Sequence, residues 1–345
     1  MYLDKLTLNN ISLNHHSSLR DIIICLNRYG TKIVIIYKKN NFLGIITDGD
    51  IRRFMLKKNF SFDSKAEDIV KKYPLVSRKY FSEKIANNIL SKKNLQHLPI
   101  IKKKRIVALY SKFFSKKKST IDTTLIVMAG GYGKRLGSLT KKIPKGMIKI
   151  RRKPILEHVI LNAKENGIKK IILSVFYKKN KIINYFNKGL KLGVNIDYLE
   201  EKKPLGTAGS LGLIKNIKNS EFIVTSCDVI SKIDYIDLIN FHKKKKAFAT
   251  IVVKSLIYNS PYGVVNNNSD NFLSIIEKPK IVENVNAGTY VFNKKVVKIV
   301  KDEKFTDMTD LILFLKNKSY KIVVFSLIED WKDYGSNNNY VNFNK

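Results

Sequence analysis

A glycine-rich turn, Gly130-Gly131-Tyr132-Gly133, runs into the basic pair Lys134-Arg135 directly behind the apolar stretch Thr124–Ala129. Glycine lets backbone N–H groups approach a phosphate closely, and adjacent cations supply the matching charge. The turn taken alone also fits a tight strand-to-loop connection without a ligand. The dinucleotide fingerprint G-x-G-x-x-G and the Walker pattern G-x-x-x-x-G-K-[ST] are both absent. Pro144-Lys145 brings a further cation shortly after the turn. His15, His16, His97, His158 and His242 show no metal-ligand spacing. Cys25 and Cys227 are the only cysteines, so there is no disulfide framework or zinc spacing, and each sits inside an apolar run that fits a small buried thiol.

These groups need a scaffold. The chain has 345 residues, 44% of them hydrophobic, enough for two globular domains and too apolar for disorder. The net charge is +37, from 65 Lys and Arg against 28 Asp and Glu. Such a balance attracts anions, but the lysines are scattered in short runs and no nucleic-acid reading element accompanies them. Behind the polar segment 115–123, the linker candidate, the apolar run at 124–129 opens an alternation of strands and helices. Leu156, Val159, Ile160 and Ala163 form one helical face. Strands are predicted at Ile171–Val175, Asn195–Leu199 and Glu221–Ser226, with helices at Lys179–Asn187 and Thr207–Asn216. This is an α/β pattern, a doubly wound and mostly parallel sheet. Shorter strands from Phe248 to Phe292 suggest an antiparallel extension. Residues 1–114 read as two weakly similar halves: Ile33–Tyr37, a turn and Phe42–Thr47 are echoed by Leu98–Ile101, a turn and Ile106–Ser111. A helix is expected from about Ile51.

The segment from Met128 through Gly133, Arg135 and Pro144-Lys145 to Lys153-Pro154 resembles the signature of nucleoside-diphosphate-sugar pyrophosphorylases, which are sugar-1-phosphate nucleotidyltransferases. The resemblance covers about residues 124–345 and implies the doubly wound, Rossmann-like nucleotidyltransferase fold. It implies that Ala129, Gly130, Gly131 and Gly133 wrap the nucleotide phosphates while Arg135 and Lys145 stabilise the leaving pyrophosphate and the reacting phosphate. Ser138 and Gly146 stand where the family commonly has prolines. Leu205-Gly206-Thr207-Ala208-Gly209 resembles the loop that contacts base and sugar. Gly263, Glu277, Asn286 and Gly288 fall in sugar-phosphate segments, and Lys278 matches the lysine that reaches the sugar phosphate. Asp228 and Asp333 match the metal-binding aspartates, so the implied cofactor is Mg²⁺, a hard cation suited to oxygen ligands. The implied reaction is in-line attack of a sugar-1-phosphate oxygen on the α-phosphorus of a nucleoside triphosphate, driven by positioning and electrostatics with no general base.

Gly44 to Arg53 resembles the end of a CBS motif, and the approximate repeat over residues 1–114 fits a tandem CBS pair, regulatory or dimerising. Thr47 and Asp50 match positions that contact phosphate and ribose of adenine nucleotides in such motifs. In the second half Ser111 aligns with Thr47, but Phe114 stands at the Asp50 position, leaving at most one intact site. This domain order, with Phe305-Thr306-Asp307-Met308, most resembles the glucosamine-1-phosphate guanylyltransferases of legionaminic acid synthesis. Mannose- or heptose-1-phosphate guanylyltransferases and other relatives are the alternatives. A silent nucleotide-sensing subunit and a basic nucleic-acid-binding protein are the competing classes. The expected partners are a nucleoside triphosphate and a sugar 1-phosphate in a homo-oligomer, with no nucleic acid or membrane. The opening residues carry an acid and no long apolar core, and no stretch has the roughly 18–20 apolar residues of a membrane span, so a cytoplasmic location is expected.

Overall fold

The computed structural model describes residues 2–3, 5–57, 60–72, 75–93, 95–111, 121–300 and 304–335. It divides into two compact units, Met1–Lys118 and Ser119–Lys345. In the first, helix Leu19–Tyr29 starts at a Ser18–Asp21 capping box and stops at Gly30 in the left-handed conformation. Strands Ile33–Lys38 and Asn41–Thr47 pair antiparallel across Lys39-Asn40, both at positive φ. That is the two-residue primed turn whose twist suits a hairpin. Strands His97–Lys102 and Arg105–Ser111 repeat the arrangement across Lys103-Lys104, also at positive φ. The irregularity in pairing recurs too, at Ile36/Tyr37 and at Ile100/Ile101. The halves build separate sheets of four and three strands, and Tyr2–Leu3 completes the second by pairing with Arg105–Ser111.

One expectation is corrected in this unit. The helix expected from about Ile51 begins at Asp48, because Thr47 and Asp50 form its capping box. Phe114 and most of the linker candidate lie outside the described residues.

The second unit is an α/β fold around a seven-stranded sheet ordered Asn195–Glu200, Lys170–Val175, Thr124–Met128, Glu221–Ser226, Lys280–Asn293, Ala249–Asn259, Ile322–Ser326. Only Lys280–Asn293 runs against the others. Side chains alternate between two cores: Leu125 and Val127 pack with helices Ile155–Glu165 and Tyr235–Lys245, whereas Ile126 packs with helix Met308–Asn317. Burial on both faces explains the uninterrupted apolar strand, each fully buried Leu or Ile contributing about 1.5–3 kcal/mol. The expected face Leu156, Val159, Ile160, Ala163 is buried in this core.

Two expectations change. Residues 207–216 form only a 3-10 turn, Gly209–Leu213, because the N–H groups of Ala208 and Gly209 donate to Thr306 O and not along a helix. Of the short strands expected after Phe248, the first and last are longer than expected, Ala249–Asn259 and Lys280–Asn293, and stay paired as far as Asn259 with Lys280. A hairpin, Val264–Asn268 with Asn271–Ile276, follows at the end of this paired arm.

Candidate active site

The glycine turn lies at the C-terminal ends of the parallel strands, where open α/β sheets bind ligands. Ala129 is buried, and its N–H donates to Ser174 O at 2.8 Å. A side chain on Gly130 would come within 2.5 Å of Glu201 Oε1, so any other residue here would have to displace that carboxylate. Gly131 has nothing within 4 Å of the equivalent position and leaves its surroundings open to a ligand. Gly133 is left-handed, with φ 68°, and its carbonyl accepts from Thr140 Oγ1 at 3.0 Å. Arg135 follows on a short helical turn anchored by buried Leu136. The cavity enclosed here has a volume of about 410 Å³ and is lined by the glycine turn, Lys134, Arg135, Lys145, Glu201 and Asp228, among others.

Asp228 lies in the turn just after the strand Glu221–Ser226 and forms an ion pair with Lys145. Asp333 comes beside it because the short strand Trp331–Asp333 pairs with Val229–Ser231, setting Asp333 opposite Val229. A β-carbon on Gly335 would lie 2.6 Å from Asp333 Oδ1, 3.2 Å from Asp228 Oδ2 and 3.2 Å from Lys145 Nζ. The three charged groups therefore converge on one glycine at the cavity wall. Burial, then the neighbouring Asp228 charge, pushes the Asp333 carboxyl above the usual carboxylate range. A cation between the two would relieve that cost. Among the described residues no group of three or more His, Cys, Asp and Glu could hold a metal. Two carboxylates with phosphate oxygens and water completing the shell is the usual Mg²⁺ arrangement, so the residues fit that ion.

A second cavity, about 340 Å³, shares Met128, Thr207 and Ser226 with the first and is lined further by Asn286, Gly288, Tyr290 and Asp307. Asn286 is fixed by Tyr290 and by the Gly288 N–H, which donates to its Oδ1 at 3.0 Å. Gly263 and Glu277 meet each other, the position of a Gly263 β-carbon lying 2.8 Å from Glu277 Oε2. They and Lys278 belong to the hairpin end of the arm and line neither cavity.

The loop Leu205–Gly209 packs on residues 304–307. Thr207 N and Oγ1 donate to Asp307 Oδ1, each at 3.1 Å, and Gly209 N donates to Thr306 O at 3.1 Å. A side chain on Gly206 or Gly209 would strike Thr306 O or Lys304 O at 2.6 and 2.5 Å. These backbone groups are thus committed to residues 304–307, although Gly206 and Thr207 still line the first cavity.

Glu201, which lines the first cavity, was not singled out from the sequence. It is buried and accepts hydrogen bonds from Ser174 Oγ at 2.7 Å and Leu205 N at 3.1 Å. Its position at the end of a predicted parallel strand was the available signal. Phe305 and Cys227 also line the first cavity. In the other unit, Thr47 N and Oγ1 donate to Asp50 Oδ2 at 3.0 and 2.6 Å, and Arg53 pairs with Asp50. Helix initiation accounts for both residues.

A CBS domain model matches residues 6–57. The chain is 33% identical over 219 residues to mannose-1-phosphate guanyltransferase 2 of Candida glabrata, covering 61% of this chain and 60% of that one. It is 37% identical over 183 residues to mannose-1-phosphate guanyltransferase of Yarrowia lipolytica, covering 51% and 50%. It thus spans 50–60% of the length of these curated relatives. The crystal structure of HddC from Yersinia pseudotuberculosis is similar at 29% identity and TM-score 0.52, over 64% of this chain and 97% of that one. The same protein has been solved with GMP-PN, at 28% identity, TM-score 0.52 and the same coverage. The nucleotidyl transferase family model matches residues 124–345, the stretch that holds the glycine turn, both cavities and the converging charges, and the chain belongs to that family.

Proposed function

We propose that residues 124–345 transfer the nucleotidyl group of GTP to a sugar 1-phosphate and release pyrophosphate. The convergence of Lys145, Asp228 and Asp333 on Gly335, at the wall of the glycine-turn cavity, carries this reading. A phosphate oxygen of the sugar attacks the α-phosphorus in line, and that nucleophile is already anionic, so no general base is assigned. Arg135 and Lys145 face the charge developing on the reacting and leaving phosphates. Asp228 and Asp333 would hold Mg²⁺, which when bound neutralises charge on the phosphate oxygens. Lys278 contacts the sugar phosphate only if the arm brings it there, and Gly263 and Glu277 share that condition.

Glu201 supports GTP as the donor. Its buried carboxylate is acceptor-only, whereas guanine offers adjacent N–H donors on one edge. The relatives named for mannose 1-phosphate favour that acceptor. A second reading, glucosamine 1-phosphate, is favoured by Asp307. It lines the sugar-side cavity, and its Oδ1 is held by Thr207, so a carboxylate oriented for an ammonium group is in place. Measuring pyrophosphate release from each nucleoside triphosphate with a panel of sugar 1-phosphates and Mg²⁺ tests the proposal. Release with GTP and one hexose 1-phosphate is expected. Silence with every pair would overturn it in favour of a nucleotide-sensing subunit.

The CBS-type unit is proposed to bind an adenine nucleotide at Thr47 and Asp50. Titration of the full chain with AMP should give heat that Asp50→Ala abolishes, whereas no heat in the wild type would leave the unit a structural or dimerising role.

A further inference from the structure

Lys145 and Asp228 come from segments far apart in sequence, yet their charged ends must meet within a hydrogen-bond length at the cavity wall. The neighbours of each residue touch behind that pair. Gly146, next to Lys145, is buried, and a β-carbon placed on it would lie 3.5 Å from Cys227 Cβ and 3.6 Å from Cys227 Sγ. The same position lies 3.3 Å from Leu156 Cβ on the other side. Cys227 directly precedes Asp228, lines the cavity and is itself buried. Its own N–H donates to Met128 O at 3.2 Å, tying the turn before Asp228 to the strand that feeds the glycine loop. Gly146 has no side chain of its own, so the Cys227 side chain lies directly against its backbone.

We propose that Cys227 is a positioning residue, its side chain acting as the spacer that sets the turn bearing Lys145 against the strand end bearing Asp228. The inference rests on the proposed nucleotidyl transfer for its kinetic consequence, but its structural consequence stands separately. Removing the sulfur leaves a void beneath Gly146, and close-packed interiors relax only partly into such voids. The turn settles toward the gap and Lys145 loses its register with Asp228. Serine is close to cysteine in size, so it keeps the spacing.

Crystal structures of the wild type and Cys227→Ala test the positioning, and steady-state kinetics of wild type, Cys227→Ala and Cys227→Ser test its effect. In Cys227→Ala the Lys145–Asp228 contact should open by several tenths of an ångström or more. Its kcat should fall about tenfold, with KM for the nucleotide changed by less than about threefold. Cys227→Ser should recover most of the lost turnover. Thermal melts of both variants separate this from general loss of fold, since a merely structural thiol would lower the melting temperature and leave kcat intact. An unmoved turn in Cys227→Ala, or alanine and serine variants with equal kcat, overturns the proposal. A wild type that turns over no substrate pair would sink the nucleotidyl-transfer reading, while the structural comparison would still decide the spacer role.

Discussion

The Lys145 side chain is largely buried and paired with Asp228, so an incoming phosphate must compete with that carboxylate for the same ammonium. A cation bound by Asp228 and Asp333 would release the lysine toward the phosphate, which makes the three groups one electrostatic unit. Arg135→Ala or Asp228→Asn should each lower kcat by about 10²-fold or more, read from initial rates of pyrophosphate release. Near-normal turnover in either variant would contradict the assignment. Glu201 should act on selectivity. Glu201→Gln still presents an oxygen to Leu205 N–H and an amide to Ser174, so the fold should hold. Its kcat/KM ratio for GTP over UTP should fall about tenfold or more, the usual worth of a hydrogen bond to a charged group. An unchanged ratio would remove Glu201 from base selection. Arg135, Lys145 and Asp228 were legible in the sequence because each sits in a contiguous signature. Glu201 was not, because its significance lies in a partner, Ser174, that only strand register brings to it; Asp307 stood in a quoted segment, but its pairing with Thr207 depends on loop packing.

At the scale of elements, the sequence disclosed whatever local chemistry decides. Two-residue turns at Lys39-Asn40 and Lys103-Lys104, and the apolar face of helix Ile155–Glu165, were readable because turn geometry and periodicity are local. The segment after Leu205 was misread as a helix. Its glycines at 206, 209 and 212 already weaken helix formation, and the contact with Thr306 that replaces the helix is long-range. That contact predicts a sharp contrast. Gly209→Ala places a methyl 2.5 Å from the Lys304 carbonyl, a backbone atom that cannot step aside cheaply, whereas Gly131→Ala meets nothing within 4 Å. The first should cost about 1–3 kcal/mol, as overpacking typically does, with roughly 2–4 °C of melting temperature lost per kcal/mol in a unit of this size. The second should melt like the wild type. Equal melting temperatures for both variants would refute the close approach.

At the scale of the whole molecule, part of the lysine excess finds structural use. Lys178 and Lys181 reach back to the carbonyls of Lys141 and Lys142, where a short helix ends and cations are favoured. No helix among the described residues is long and apolar enough to cross a membrane. A different charge effect governs acid stability. His97 is buried at the start of a strand in the first unit, and burial, with Lys32 adding repulsion against some help from Asp50, pushes its pKa down to about 3 from 6.5. The folded unit therefore keeps this imidazole neutral in a range where the unfolded chain protonates it. Stability rises with pH wherever the unfolded state binds more protons, so this contribution is complete above about pH 6.5 and is lost progressively as pH falls from there toward 3. The slope cannot exceed about 1.4 kcal/mol per pH unit for a single group. His242, lowered for the same reason in the second unit, acts in the same direction, so the comparison must isolate His97. Denaturant melts of the wild type and His97→Leu between pH 7.5 and pH 5 do so. The wild type should lose stability faster than the variant on acidification, and parallel pH profiles would show that His97 is not held neutral by its burial.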